Sequence, residues 1–251
     1  MGRIIAIVNQ KGGVGKTTTA VNLTAALTEQ GQKVLLCDFD PQANATSGLG
    51  LDKRRLGKTV YDLLINGAEA KSALVQTKFG AVLPSTGDLA GAGVELVNAR
   101  DWEHQLRRAL EPLRQSYDYI FIDCPPSLEL LTINGLGAAD GILIPVQCEY
   151  YALEGLSDLM ATLRAVKRRV NPGLDIFGVV LTMYDGRTNF SAQVAQEVRR
   201  HFPGKVYNTM IPRNVRLAEA PSHGLPVTAY DRTSRGAVAY SQLAEEILRK
   251  G

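Results

Sequence analysis

Two lysines and three glycines are packed into eight residues near the start of the chain. The segment Lys11-Gly12-Gly13-Val14-Gly15-Lys16-Thr17-Thr18 follows a short apolar run at residues 4–8. A strand that enters a glycine-rich turn and then a helix presents backbone N–H groups and a helix N-terminus to an anion. In such loops a lysine reaches the β- and γ-phosphates of a nucleotide and a hydroxyl binds Mg²⁺. The segment therefore predicts a nucleoside triphosphate ligand.

The loop departs from the usual phosphate-loop pattern at one position. G-x-x-x-x-G-K-[ST] requires a glycine five residues before Gly15, where this chain has Gln10. A second lysine, Lys11, stands five residues before Lys16. One lysine suffices for the phosphates of one site, so Lys11 is either a solvated charge at the lip of the loop or a group that reaches a different nucleotide. The residues alone leave both interpretations open.

Two acidic motifs follow later apolar runs. In Leu35-Leu36-Cys37-Asp38-Phe39-Asp40-Pro41-Gln42 two carboxylates lie two residues apart, so an extended backbone points both to one side. An isolated D-x-D-P segment is usually a turn, but beside a phosphate loop it favours a water-positioning role. The run Tyr119-Ile120-Phe121-Ile122-Asp123-Cys124 also ends in a carboxylate. This is the Walker B arrangement, which predicts Asp123 near Mg²⁺ with the Thr17 hydroxyl on the metal.

Length and composition predict one α/β domain over residues 1–251. With 45% hydrophobic and 21% charged residues, the chain can bury a large core. Strands are predicted at 3–9, 33–39, 79–84, 118–123, 140–146, 175–182, 205–210 and near 226–229, and helices at about 16–30, 99–115, 153–170, 190–201 and 236–249. This alternation predicts a mostly parallel, twisted sheet of about seven or eight strands with helices on both faces. Ligands of such sheets bind beyond the C-terminal strand ends, where the polar motifs lie.

The cysteines and the hydropathy pattern indicate the cellular compartment of the protein. Cys37, Cys124 and Cys148 are odd in number and have no C-x-x-C spacing, which favours buried reduced thiols over disulfides or metal ligands. No run approaches the roughly 18 apolar residues of a membrane helix, and the N-terminus has no leader pattern. We therefore expect a cytoplasmic protein without a membrane partner.

The loop with its second lysine resembles the deviant Walker A motif of the ParA/MinD group of ATPases. Further segments are similar to the chromosomal ParA subgroup often called Soj: 48–50, 85–91, 149–155, 182–185, 211–217 and 219–226. The resemblance covers nearly the whole chain and implies the P-loop NTPase fold and a Mg²⁺-dependent ATPase of weak intrinsic activity. Because the loop begins so early, no separate N-terminal helix-turn-helix domain is expected. Ala43 departs from the subgroup, which usually has glycine there, and alanine disfavours a positive φ.

The resemblance also implies roles for individual residues. Lys11 would cross a dimer interface to the partner's phosphates, Lys16 would serve its own site, and Asp40 would position the attacking water. Asp38 would support Mg²⁺ or the loop, beside Thr17 and Asp123. The implied ATP-binding set is Lys11, Gly12, Gly13, Val14, Gly15, Lys16, Thr17 and Thr18, with Met210, Pro212 and Asn214 at the adenine.

Charge is distributed unevenly along the chain. From residue 160 onward there are 14 Lys+Arg and 7 Asp+Glu, a balance of +7, whereas the remainder has 14 and 18, a balance of −4. A basic portion of this size favours a polyanion surface, and no aromatic residues alternate with the basic ones, which favours phosphate contacts without base readout. The resemblance implies an ATP-bound homodimer that binds double-stranded DNA non-specifically through Arg187 and Arg216, with Arg213 next. It also implies a ParB-type activator and a nucleoid-associated location.

Two other functions are weighed against this one. A MinD-like membrane-cycling ATPase needs a basic amphipathic C-terminal helix with large apolar residues, whereas segment 240–251 has two acidic residues and no Trp or Phe. An iron–sulfur carrier of the same superfamily would need cysteines at paired loop positions, and here they fall in strand-like runs. The sequence favours a DNA-segregation ATPase that dimerises on ATP.

Overall fold

The computed structural model describes residues 2–97, 99–149 and 152–250, apart from the side chains of 152–154. Within these ranges seven strands form one sheet in the order β3-β4-β2-β5-β1-β6-β7. The strands are β1 (Arg3–Ile7), β2 (Val34–Asp38), β3 (Val75–Thr77), β4 (Gly80–Leu83), β5 (Tyr119–Asp123), β6 (Gly141–Gln147) and β7 (Asp175–Thr182). Neighbouring strands are parallel except β3 and β4, which form an antiparallel hairpin. The predicted fold class is confirmed.

Helices connect the strands on both sides of the sheet. They are α1 (Lys16–Glu29), α2 (Asn44–Gly48), α3 (Val60–Ile65), α4 (Ala70–Ala73), α5 (Leu89–Leu96), α6 (Gln105–Leu110), α7 (Leu130–Ala138), α8 (Ala152–Arg169), α9 (Asn189–His201), α10 (Val215–Glu219), α11 (Val227–Tyr230) and α12 (Arg235–Lys250). Short 3₁₀ turns lie at Lys53–Arg55, Trp102–His104, Glu111–Leu113 and Ala220–His223. No helix in the described part of the chain is long and apolar enough to cross a membrane.

Alternating strand residues divide the apolar interior into two layers. On β5, Ile120 and Ile122 face the layer that contains α3, α5, α6, α8 and α9, whereas Tyr119 and Phe121 face the layer that contains α1 and α12. The three cysteines are buried and free, as predicted. Because both faces of the sheet are covered, the central strands are apolar except at their ends, where polar residues stand.

Strand register brings the acidic motifs to one edge. Asp38 at the end of β2 is paired with Asp123 at the end of β5, and Asp123 is also paired with Ile7 of β1. The phosphate loop leaves β1 immediately after Ile7. The three motifs, of which the first and last are more than a hundred residues apart in the sequence, therefore meet at the C-terminal edge of the central strands.

Three predicted elements differ from the structure, and one strand was missed together with the helices α2, α3, α4, α5, α7 and α10. The strand predicted near 226–229 is wrong: Val227 begins the single-turn helix α11, and its N–H donates to the side chain of Asn22 at 2.6 Å rather than to a sheet neighbour. The helix predicted at 99–115 is shortened to α6 between two 3₁₀ turns, because Pro112 in the second turn has no N–H to continue an α-helix. The edge strand β3, of three residues, was not predicted.

Segment 205–210, predicted as a strand, makes only an isolated parallel bridge, Val206 to Val179. The reason is Glu246 of α12. Its carboxylate accepts the N–H groups of Asn208 and Thr209, each at 2.9 Å. The N–H of Thr209, which would point toward β7 as that of Tyr207 does, is therefore not available to a ladder. Burial alone would raise the pKa of Glu246, but these donors and Lys250 hold that pKa at about 2. A carboxylate thus fixes α12 to the segment that leads to Pro212.

Glu246→Gln is expected to lower the free energy of unfolding by about 1–3 kcal/mol at pH 7, since hydrogen bonds to an ionised acceptor are lost. The pKa of about 2 in the folded chain lies below the ordinary 4.5, so the carboxylate stabilises the fold above pH 4.5 and loses that effect as the pH falls toward 2. Urea denaturation between pH 7 and pH 3 measures this. The exposed neighbour is the matched control: Glu245→Gln should change little, and equal losses for both variants would contradict the assignment.

Candidate nucleotide site

The phosphate loop is fixed at both ends by side chains from distant strands. Asn9 donates from Nδ2 to the carbonyl of Pro145 at 2.8 Å and accepts the N–H of Lys11 at 3.0 Å. Thr182, at the end of β7, donates from its hydroxyl to the carbonyl of Val14 at 2.8 Å. Neither anchor was predicted, although each stands at a strand end, where ligands of parallel sheets gather.

Two glycines make the turn of the loop possible. Gly13 has φ +75° and Gly15 has φ +92°, conformations that cost glycine little and that other residues rarely adopt. Gly15 is followed at once by Lys16, the first residue of α1. The loop therefore ends at a helix N-terminus whose N–H groups are available to an anion.

The two lysines occupy different environments. Lys16 is only 7% exposed and donates from Nζ to the carbonyl of Lys11 at 3.1 Å. Burial lowers the pKa of Lys16, and the nearby carboxylates of Asp123 and Asp40 oppose part of that effect. Lys11 is half-buried at the lip of the loop. One ammonium thus lies inside the loop while the other lies at its rim.

Asp123 is the most isolated charge of the site. The residue is fully buried, and among the described residues neither carboxylate oxygen has a hydrogen-bond partner. Burial raises the pKa of Asp123 well above its usual range, and Asp38 adds to this. The Thr17 hydroxyl and Lys16 lower that pKa in part, although Thr17 lies outside hydrogen-bond geometry. A buried carboxylate without a partner, beside a hydroxyl, fits the oxygen ligands that Mg²⁺ takes next to nucleotide phosphates.

Asp38, in contrast, is fully engaged. It accepts the backbone N–H of Thr46 at 2.7 Å, the hydroxyl of Thr46 at 2.6 Å and the N–H of Asp40 at 3.3 Å. Burial raises the pKa of Asp38 to about 6 despite these donors. The Thr46 hydroxyl in turn accepts the N–H of Ser85 at 3.0 Å. Of the two roles predicted for Asp38, support of Mg²⁺ or support of the loop, these bonds favour support of the loop.

The turn after β2 holds Asp40 near the phosphate loop. Asp40 is 7% exposed, and its Oδ1 accepts the N–H of Gln42 at 2.9 Å. Its carbonyl accepts the N–H of Ala43 at 2.9 Å. Ala43 has φ +52°, the left-handed conformation that glycine would adopt at lower cost. The alanine thus keeps the turn at a cost of roughly 1 kcal/mol in backbone strain.

A cavity of about 360 Å³ lies beside Gly15 and Thr18. Pro212 and Asn214 line it, as expected for the adenine contacts, whereas Met210 is not among its lining residues and packs against the core instead. Met183 lines the cavity with φ +50° and was missed by the sequence analysis. Met183 directly follows the end of β7, and a position after a parallel strand was the feature of the sequence that could have indicated it.

The three candidate DNA-binding arginines are exposed and each is paired with a carboxylate. Arg187 contacts Asp185 through two hydrogen bonds of 2.9 and 2.7 Å, which hold the pKa of Asp185 well below its usual range. The other pairs are Arg213 with Glu149 at 3.1 Å and Arg216 with Glu219 at 2.8 Å and Asp231 at 3.2 Å. Exposed pairs of this kind contribute little to stability, so a phosphate can replace the carboxylate at little cost.

Fold and loop together define a P-loop nucleotide-binding protein of the α/β class. A family model described as "AAA domain" matches residues 2–176. The chain is 57% identical over 253 residues to the sporulation initiation inhibitor protein Soj of Bacillus subtilis (strain 168), covering 100% of each. It is 52% identical over 252 residues to the chromosome partitioning protein ParA of Myxococcus xanthus (strain DK1622), covering 100% of this chain and 89% of that protein.

Among solved structures, that of cobyrinic acid a,c-diamide synthase from Mycobacterium smegmatis with bound ATP analogue and magnesium has a TM-score of 0.87 at 40% identity, covering 99% of this chain and 95% of that chain. A nucleotide and magnesium in a neighbour of this fold support the same ligand class here. The chain belongs to the Soj/ParA family of ATPases.

Asp123 and Asp38 are opposite each other in the sheet, yet their asparagine variants should have opposite effects. Asp123→Asn replaces a buried carboxyl group that has no hydrogen-bond partner among the described residues and whose ionised form burial penalises, so the nucleotide-free protein should become more stable by about 1–3 kcal/mol. Asp38→Asn removes an ionised acceptor from three donors and should destabilise by a similar amount. Urea denaturation of the two variants without nucleotide measures both. A loss of stability in Asp123→Asn would contradict the assignment of its carboxyl group as one without a hydrogen-bond partner.

Proposed function

We propose that this chain is an ATP-dependent dimerising ATPase that binds DNA without sequence specificity and serves chromosome or plasmid partition. The arrangement that carries the proposal is a phosphate loop with one lysine folded inward and a second at its rim, beside the buried carboxylate of Asp123. Because Lys16 already serves its own loop, Lys11 at the rim would reach the phosphates of a facing subunit. ATP would then join two copies of the chain.

Hydrolysis in this proposal relies on positions that the fold already provides. Thr17 and Asp123 would hold Mg²⁺, which when bound neutralises charge on the phosphates. Lys16 would exchange the carbonyl of Lys11 for phosphate oxygens. Asp40 would orient the attacking water, and the turn from Asp40 to Ala43 keeps that carboxylate largely excluded from solvent. Slow intrinsic hydrolysis would make the bound state long-lived.

DNA binding is proposed for the surface that carries Arg187, Arg213 and Arg216. The Tyr184 to Pro212 bridge places the two segments that bear these arginines side by side. Exposed guanidinium groups suit phosphate contacts, which give affinity without base specificity. The relatives include chromosome partitioning proteins, which supports a role on the chromosome. Nucleoid association and a ParB-type activator complete the proposal.

A MinD-like membrane cycle is the alternative, and the packing of α12 favours the DNA role. One face of α12 is buried against α1, including Tyr240, whose hydroxyl lies 3.1 Å from that of Thr19. Glu246 fixes the same helix to residues 208 and 209. A helix held in this way does not present its apolar face to lipid. Sedimentation with anionic liposomes and ATP distinguishes the two functions.

Lys11→Ala tests the proposed dimer. Size-exclusion chromatography with light scattering should show a monomer without nucleotide or with ADP, and a dimer with a non-hydrolysable ATP analogue. The variant should bind nucleotide as a monomer and lose dimerisation and hydrolysis, because only its own lysine remains at each site. A wild-type protein that stays monomeric in every state, or an active monomeric variant, would overturn the proposal.

Asp40→Ala tests the water-positioning role. Loss of that group should reduce steady-state ATP hydrolysis by about 10²-fold or more while nucleotide-dependent dimerisation persists, the magnitude being that of an acid–base contribution. Phosphate release and light scattering on the same sample measure the two properties. Hydrolysis at the parental rate would show that another group orients the water.

Arg187→Ala and Arg216→Ala should each weaken binding of the ATP-bound protein to duplex DNA and make it less dependent on salt, by about one unit of slope in log K against log salt for each lost phosphate contact. Fluorescence anisotropy with two unrelated duplexes measures affinity and specificity together. The exposed Arg54, which pairs with Asp52, provides a matched control in Arg54→Ala. Affinity that is independent of salt would contradict a phosphate-binding surface.

A further inference from the structure

The side chain of Asn9 joins the phosphate loop to the sheet. It is 6% exposed, and both ends of its amide are used: Nδ2 donates to the carbonyl of Pro145 at 2.8 Å, and Oδ1 accepts the N–H of Lys11 at 3.0 Å. A carbonyl only accepts and a backbone N–H only donates, so these two partners fix which way the amide is turned. One buried side chain thus connects the rim of the loop to β6.

Asn9 stands where the pairing of β1 with β6 ends. Ile7 is opposite Leu143, and the N–H of Val8 still donates to the carbonyl of Leu143 at 3.1 Å. Continuing this register by two residues places Asn9 opposite Pro145, which has no N–H to extend the ladder toward β1. The backbone therefore leaves the sheet at this point, and the amide of Asn9 binds the carbonyl that the ladder no longer uses.

The backbone of Lys11 is held at both of its polar groups. Asn9 accepts its N–H, and Nζ of Lys16 donates to its carbonyl at 3.1 Å. The two hydrogen bonds differ in what supports them. The bond to Asn9 rests on a strand of the sheet, whereas the bond from Lys16 comes from the ammonium that the proposed function assigns to the phosphates of ATP. Binding of ATP would therefore remove one of these two bonds and leave the other.

The position of this backbone matters most after ATP has bound. In the proposed dimer the side chain of Lys11 spans the interface, and a lysine side chain already has many rotamers to lose when it is held in one place. Freedom of its backbone would add to that cost, because the ammonium at the end of a four-carbon chain follows any rotation of the peptide at its base. A hold that does not depend on Lys16 lowers the cost at the moment when the second copy binds.

We propose that Asn9 is a positioning residue that keeps Lys11 directed at the facing subunit once Lys16 has turned to ATP, an inference that rests on the proposed function. In this role Asn9 acts through Lys11 rather than on the phosphates. The alternative is that Asn9 shapes the cradle for the chain's own nucleotide, in which case nucleotide affinity and dimerisation would fall together. With the positioning role, only dimerisation falls.

Two variants of Asn9 remove its hydrogen bonds one after the other. Asn9→Ala removes both. Asn9→Ser keeps a hydroxyl that can accept the N–H two residues further on, as serine does in turns, but it is too short to reach Pro145. Light scattering over a concentration series with a non-hydrolysable ATP analogue should show the dissociation constant of the dimer raised about tenfold or more in Asn9→Ala, because a dimer contains the site twice. The factor should be smaller in Asn9→Ser.

Nucleotide affinity is measured in the Lys11→Ala background, in which the protein should stay monomeric. Adding Asn9→Ala should change the dissociation constant of a fluorescent ATP analogue less than about threefold, because the inward lysine and the helix N-terminus are untouched. Thr182→Val is the matched control, since it keeps the shape of the side chain and removes the hydrogen bond to the carbonyl of Val14 at the other end of the loop. It should weaken binding of the analogue more than Asn9→Ala does. A loss in Asn9→Ala as large as that in Thr182→Val would overturn the proposal.

Steady-state hydrolysis separates the same two roles in the variants that keep Lys11. The protein concentration that gives half-maximal activity per chain should rise by about the factor found for the dimer, while KM for ATP at saturating protein stays within about threefold of the wild type. A raised KM with an unchanged concentration midpoint would show that Asn9 serves the chain's own nucleotide, and the positioning role would be wrong.

The result for Lys11→Ala separates a failure of this inference from a failure of the proposed function. If Lys11→Ala loses the dimer and Asn9→Ala keeps it at wild-type affinity, the positioning role is wrong and the proposed function stands. If Lys11→Ala itself keeps the dimer, the cross-interface lysine is wrong, and the role of Asn9 is wrong with it. If Asn9→Ala does not fold, Asn9→Ser decides, because wild-type dimerisation of that variant would contradict support from β6.

Discussion

Asp123 lies at the end of the central strand β5, between Asp38 on β2 and the phosphate loop that leaves β1. Its buried carboxylate has no hydrogen-bond partner among the described residues, a costly state for an isolated charge. The same register that places it there also places Lys16 close enough to oppose the rise in its pKa. The cost of ionising this carboxyl group is confined to the site, and a bound cation would lower it. The geometry of the site thus follows from the pairing of β5 with its two neighbours, β1 and β2.

The phosphate loop and the turn after β2 are held in place in different ways. The loop is held by Asn9 and Thr182, whose partners lie more than a hundred residues away in the chain. Asp38 fixes the start of the other turn through Thr46, while Ala43 closes it with a positive φ. One side of the site is therefore anchored by the sheet, and the other is held by a short segment that stores backbone strain.

Contiguous motifs were the part of this site that the sequence could predict. Residues 11–18, Asp40 and Asp123 follow apolar runs directly, so strand ends and local chemistry identify them. Thr182 and Met183 act through contacts with segments far along the chain, and a single sequence carries no record of those pairings. The strand expected at 205–210 was wrong for the same reason, because a carboxylate on α12 takes two of its donors. The short helices at 44–48 and 215–219 lack the length at which periodicity is informative.

The wall of the cavity beside Gly15 and the surface with the three exposed arginines share one stretch of backbone. Met183 lines the cavity two residues before Asp185, which holds Arg187, and Asn214 lines it while its side chain accepts the N–H of Arg216 at 2.9 Å. The Tyr184 to Pro212 bridge joins these two segments. Movement of either wall on nucleotide binding would therefore displace arginines whose exposed ion pairs are weak enough to rearrange. The cavity lining thus stands only two residues from charged side chains, Met183 from Asp185 and Asn214 from Arg216.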